Sequence, residues 1–245
     1  MPNPTIARRE SPISPTGEAR STWRAALEAG AALLQHTAPL KDFDIYVAGL
    51  HCGKHEPEMQ MEAHHFCRQV NQDFLQCTLF DGNTKDANLI GIEYIVSERV
   101  FDSLPAEEKP YWHPHNYEIL SGQLCAPGLP EAAERAFLRE LMNSYGKTWH
   151  TWHTGRHDGS PGDPLPLGDP KLMWSFNRDG EADESLKRDF QSHMGLDEAA
   201  KRARRQAFVA LAHPQHGVDE MAAEFTATTP IPGVVDADGD GGSPR

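Results

Sequence analysis

Thirteen histidines stand in this chain of 245 residues, and most of them fall between positions 51 and 157. The densest stretch is MEAHHFC at 61–67, with a carboxylate, two adjacent imidazoles and a thiol. A second is His113-Pro114-His115. On an extended strand, residues i and i+2 point the same way, so both imidazoles of an HxH step can converge on one ion. Glu62-Ala63-His64 has the same spacing if its segment is a strand. Two such pairs on neighbouring strands would present three nitrogens and one carboxylate oxygen. His51, at the end of a strand, is the further candidate. The expected metal set is therefore His51, Glu62, His64, His113 and His115, a donor mix suited to one ion of Zn, Fe, Mn or Ni with open positions. Such an ion could polarise a carbonyl, activate water or bind dioxygen, and the sequence does not choose among these. The plain alternative is that the histidines are architecture, hydrogen-bonded to backbone.

Other residues carry weaker signals. His55 pairs with His51 only if HCGKH forms a helical turn. Glu118 follows His115 after two residues, where the cupin metal motif has three or four, and on a regular strand it would face away from both histidines. A cupin-like jelly roll is thus an alternative fold only. His150, His153 and His157 in KTWHTWHTGRH alternate with Trp149 and Trp152, a pattern more typical of packing. Glu93 is a lone carboxylate on an apolar strand, either an acid/base group or the partner of Arg68 or Arg99. KRARR at 201–205 reads as a solvated helix face. DADGDGG at 236–242 matches the opening of an EF-hand loop, but the chain ends before the closing Glu.

These residues need elements to hold them. Alternation predicts strands at 43–50, 75–81 and 88–97, the last apolar on both faces. Residues 59–67 are read as a strand, with Met61, Ala63, His65 and Cys67 on one face and Glu62, His64 and Phe66 on the other; a helix would instead place His65 beside Glu62. Tyr117, Ile119 and Leu120 suggest a strand ending at Gly122. Helices are expected from Ser21 or Thr22, over 131–146 and from Asp197. KTWHTWHT and KLMWSF read as strands around a Pro/Gly-rich loop at 155–170. No regular βαβ alternation appears. The expected fold is α+β, a mostly antiparallel sheet with two or three flanking helices in a single domain at 21–224. Residues 1–20 read as a flexible arm and 225–245 as a disordered acidic tail.

Composition narrows the function classes. The formal net charge of −13 disfavours nucleic acid and anionic lipid headgroups as partners. The longest small or apolar run, Ala29 to Leu34, cannot span a bilayer, and the N-terminus has no secretory apolar region. A soluble, cytoplasmic protein is expected, with its four cysteines reduced.

EAHHFC, LIGIEYIVSE and WHPHNYE, with His51, His55, Asn71, Gln76-Cys77 and the LP..EK turn at 104–109, resemble the oil body-associated proteins of plant seeds. The resemblance covers about residues 35 to 185, and the chain looks like a bacterial-type member of that domain-of-unknown-function family. It implies association with lipid droplets and stress contexts but no reaction to carry over. A second hypothesis follows, that of a non-catalytic protein binding droplet surfaces or a partner peripherally, with structural histidines and the Trp149–Trp152 strand as contact surface.

Overall fold

The computed structural model describes residues 6–35, 38–155 and 162–238. Its centre is a chain of antiparallel strands: β1 (Ile45–Gly53), β2 (Glu56–Asn71), β3 (Phe74–Phe80), β4 (Leu89–Val96), β5 (His113–Pro114), β6 (Tyr145–His150) and β7 (Lys171–Trp174). β1 to β4 pair in sequence order, β4 pairs with β6, β6 with β7, and β7 returns to β1. Six strands thus close an up-and-down barrel, and the two-residue β5 adds to the start of β6. An α+β fold of antiparallel strands was expected; closure was not. Next-neighbour pairing around the ring leaves no Greek-key crossing, which excludes the cupin-like jelly roll.

Six α-helices appear among the described residues: α1 (Thr22–Leu34), α2 (Glu98–Asp102), α3 (Asn116–Ser121), α4 (Glu131–Glu140), α5 (Glu184–Met194) and α6 (Glu198–Arg205). α5 packs on β2 and α3 on α6. The core between helices and barrel wall includes Leu50, Ile119, Leu120, Trp174, Phe176 and Phe190. α1 differs, because it buries no residue.

Several segments depart from the sequence expectations. Residues 116–121 are the helix α3, closed by Gly122 at φ +96°, rather than a strand. α4 stops at Glu140, and Gly146 lies within β6 rather than ending the helix. α5 was not anticipated; Asp183 caps it by accepting from the amides of Ser185 and Leu186. KRARR is ion-paired along a face that is largely solvated apart from Arg205. Lys201 Nζ lies 2.6 Å from Glu134, Arg202 2.8 Å from Asp179 and Arg204 2.7 Å from Glu131. Arg205 is buried and donates to the carbonyls of Ile119 and Leu124.

Parts of the two ends expected to be loose touch the body of the molecule, while residues 14–20 are exposed. Arg9, Ser11 and Ile13 bond to Asn83 and Asn88 beside the barrel mouth. Ile231 and Val234 join the core. Asp240 and Gly241 of the EF-hand-like stretch lie outside the described residues. Cys67 and Cys77, expected as thiols, face each other in the β2–β3 register at 4.0 Å between Cα atoms and form a disulfide. Cys52 and Cys125 are free and buried.

A candidate metal centre in the barrel lumen

Strand alternation decides which histidines meet. In β2 the odd positions face the lumen: Met61, Ala63, His65 and Cys67. They pair with His51, Gly49, Val47 and Ile45 of β1. The register continues Cys67–Cys77, Cys77–Glu93 and Glu93–Thr148, with Gly91 opposite His150. His51, His65, Glu93, Thr148 and His150 therefore share one interior. His113 reaches it from β5 beside Gly146, and His115 from the N-terminal end of α3.

Glu93 is the hub. Its Oε2 lies 2.8 Å from His65 Nε2, and its Oε1 lies 3.3 Å from His115 Nε2 and 3.5 Å from His113 Nε2. Burial alone would raise the Glu93 pKa. The charge of His65 and the close approach of His113, His115 and His65 outweigh burial and hold it well below the ordinary value. Neither expected arginine reaches Glu93, since Arg99 pairs with Asp73 and Arg68 points out of the barrel. Gly146 makes the approach possible. A Cβ there would collide with Glu93 Oε1 and lie 2.6 Å from Nε2 of both His113 and His115. The helical turn of α3 brings Glu118 back over His115 at i+3, 3.9 Å from its Nε2. A strand would have sent it away. Burial, then the charge of Glu93, pushes the Glu118 carboxyl well up.

The hydrogen-bond network assigns three ring tautomers. Ser144 Oγ donates to the Leu141 carbonyl at 2.6 Å, so at 2.8 Å it accepts from His115 Nδ1–H. In the neutral ring this leaves His115 Nε2 with a lone pair aimed at Glu93. Met61 Sδ can only accept, so His150 Nδ1 carries the hydrogen of their 3.0 Å contact. Burial, then the charges of His153 and His65, pushes the His150 pKa down to about 3. Its bare Nε2 therefore accepts from His51 Nδ1–H at 3.2 Å. His51 is held well below the ordinary histidine pKa by burial, then by the charge of His65, so its Nε2 is bare as well. His113 is fully buried, its pKa lowered chiefly by burial. Neither of its nitrogens has a hydrogen bond of good geometry, nor has His65 Nδ1 or Thr148 Oγ1. Leaving such groups unpaired costs about 1–3 kcal/mol each.

Two groups of donors lie within ligating reach: His51, His65 and Glu93, and Glu93, His113 and His115. Their contacts of 2.8 to 3.5 Å match the edges of a coordination shell, about 3.0 Å octahedral or 3.4 Å tetrahedral for bonds of about 2.1 Å.

Of the five expected ligands, His51, His113 and His115 meet here; Glu62 and His64 do not. They lie on the opposite face of β2, among Tyr46, Asn83 and Arg9, where Arg9 Nε, Glu62 Oε1 and His64 Nε2 are close to one another without a hydrogen bond of good geometry. Asn83 Nδ2 donates to Tyr46 Oη at 3.0 Å, and Tyr46 Oη lies 2.7 Å from His64 Nδ1. His64 Nε2 is 2.9 Å from Glu62 Oε1, and Arg9 Nε is 3.3 Å from Glu62 Oε2. His55 is exposed in the β1–β2 turn. His153 is buried near Asp163, and His157 lies outside the described residues. The sequence reading missed His65, His150 and the central place of Glu93. The available signal was the apolar run of odd positions, Met59, Met61, Ala63 and Cys67, which marks the lumen face and carries His65 with it.

Comparison with known proteins identifies the lineage. The model of a "Protein of unknown function (DUF1264)" family matches residues 37–209. Oil body-associated protein 2B of Arabidopsis thaliana is 45% identical over 161 residues, 66% of this chain and 63% of that protein. Oil body-associated protein 1A of Zea mays is 38% identical over 206 residues, 84% of this chain and 83% of its own. Oil body-associated protein 1B of Arabidopsis thaliana is 34% identical over 206 residues, 84% and 82% of the two chains. These relatives are plant proteins and lend no support to the expectation of a bacterial-type member. No solved structure matches the chain. The chain belongs to the DUF1264 family, among the relatives of the oil body-associated proteins.

Proposed function

We propose that the barrel lumen binds a divalent transition-metal ion on Glu93, His113 and His115, with Glu118 in reach as a further oxygen. The observation that carries this reading is His113, a wholly buried imidazole without a good hydrogen bond that points at the same carboxylate oxygen as the bare Nε2 of His115. Two imidazoles, two carboxylates and no cysteine suit Zn, Fe, Mn or Ni. Of the residues named from the sequence, His113 and His115 belong to this set and His51 to the neighbouring group with His65 and Glu93. Elemental analysis of tag-free protein beside a His113→Ala/His115→Ala variant tests it. At least one metal per chain, with the His113–His115 ion lost in a variant of unchanged circular dichroism, is the expected result. No metal in the wild type after reconstitution makes the cluster architecture.

A second reading concerns the outside of the molecule and is compatible with the first. The relatives are named for oil bodies, and this chain exposes apolar surface suited to a lipid monolayer. α1 presents Trp23, Leu27, Leu33 and Leu34 to solvent. The outer wall of β4 and β6 carries a shallow cavity of about 500 Å³ edged by Leu89, Ile92, Trp149 and Pro170. Trp152, expected in this surface, is buried and donates its indole N–H to the Asp163 carbonyl. No described helix is long and apolar enough to cross a membrane, so the association would be peripheral, at the droplet surface rather than free in the cytoplasm. Flotation with phospholipid-coated triacylglycerol droplets should carry the wild type and His113→Ala upward but leave Trp23→Ser/Leu27→Ser behind. Equal flotation of all three removes α1 from the account.

A further inference from the structure

The two oxygens of Glu93 face different histidine pairs. Oε1 faces His113 and His115; Oε2 faces His65, whose ring stands edge-on to His51 at 5.0 Å between centroids. A single ion on Oε1 leaves a second complete donor group, His51, His65 and Oε2, with all its ligand atoms within 4.8 Å of one another. We propose that Glu93 bridges two divalent transition-metal ions, one bound by His113 and His115 and the other by His51 and His65. The inference rests on the luminal metal reading above and extends it.

Three features support a pair of ions. A carboxylate that gives one oxygen to each metal suits a separation of about 3.5–4 Å, the usual spacing of two-metal sites. Each half also has an imidazole fixed from behind, as metal-bound histidines commonly are. Ser144 holds Nδ1 of His115, and His150, itself fixed by Met61, holds Nδ1 of His51. Finally, the lumen has a second buried carboxylate. Glu118 has His115 as its one basic neighbour within 4 Å among the described residues, and it sits on the half that lacks a contact to Oε2. With Glu93 it offsets two of the four positive charges of the ions, which leaves the pair electrophilic toward an oxygen-bearing anion. A cavity of about 130 Å³ lined by Arg9, Pro12 and Gly155 borders Met61, the strand partner of His51.

Manganese supplies the test. Chelator-stripped, tag-free full chain is titrated with Mn(II) while electron paramagnetic resonance follows the free-ion signal. Two Mn(II) per chain are expected, with an exchange-coupled spectrum at full loading. His51→Ala and His113→Ala are each expected to hold one ion and to lose the coupling. The wild-type stoichiometry decides the matter even if a variant fails to fold. One Mn(II) per chain, or two without coupling, overturns the bridge and leaves the single-ion reading standing; no binding overturns both.

Discussion

Glu93 and Gly146 define the site at the scale of single residues. A carboxylate on the inside of a barrel is tolerable only where its charge is answered, and here three imidazoles answer it. Glu93→Gln keeps the shape and removes the charge, so metal affinity should fall by more than about 100-fold, beyond the loss typical of an outer-shell change. Competition against a chromophoric chelator measures it, and an unchanged constant would remove Glu93 from the site. Gly146→Ala asks a different question. The added methyl would occupy the space where Glu93, His113 and His115 meet. It should cost about 1–3 kcal/mol by overpacking and abolish metal binding while β6 stays paired. Retention of full metal content in that variant would mean that the cluster can rearrange without loss.

At the scale of elements, a strand register and a short helix do most of the positioning. The β2–β3 register sets Cys67 against Cys77, next to the Cys77–Glu93 pair. A crosslink ten residues apart in sequence stabilises by about 3 kcal/mol on loop entropy. Reduction with a dithiol should lower the urea midpoint accordingly; an unchanged midpoint would show that the bond contributes nothing. Arg205 ties α6 to the turn after α3 through two carbonyls, with Glu134 at 3.5 Å. Removing one side of a buried charge pair costs about 3–5 kcal/mol, so Arg205→Ala should destabilise by that order, read from chemical denaturation. Much of this level was legible in the sequence. β1, β3 and β4 follow their alternation, and β2 is the strand preferred at 59–67. The choice between its faces was not legible, because Glu62 and His64 have the spacing of ligands and only the barrel's closure turns them outward, toward Tyr46, Arg9 and Asn83. Glu118 was misplaced for a related reason: Tyr117, Ile119 and Leu120 suit a strand locally, and only packing against α6 makes that segment helical. Closure of the barrel depends on the β4–β6 pairing, a non-local contact that no periodicity signals.

The whole molecule has an inside and an outside with different tasks. The lumen should make metal-free protein acid-labile. His51, His113 and His150 are held below their unfolded value of about 6.5, and Glu93 is held below that of a free carboxylate. Below pH 6.5 these three imidazoles bind more protons in the unfolded chain than in the folded one, so stability falls with pH by at most about 1.4 kcal/mol per unit for each, and the raised carboxyl of Glu118 opposes only one of them. The loss continues as pH drops through the range in which unfolded Glu93 takes a proton. The urea midpoint of stripped protein should be level from pH 7 to 8 and drop from 6 to 5; a level midpoint across pH 5–7 would contradict neutral buried imidazoles. Bound metal should move that decline to lower pH, since protons then compete with the ion. On the proposed droplet reading the contact surface is the outer wall and α1, and the lumen takes no part in it. The most direct measurement is anomalous diffraction from crystals of the full chain grown with Zn(II). The account predicts a peak inside the barrel, about 2.1 Å from a Glu93 oxygen and from Nε2 of His113 and His115. A lumen without a peak, while zinc scatters elsewhere in the same crystal, would contradict it.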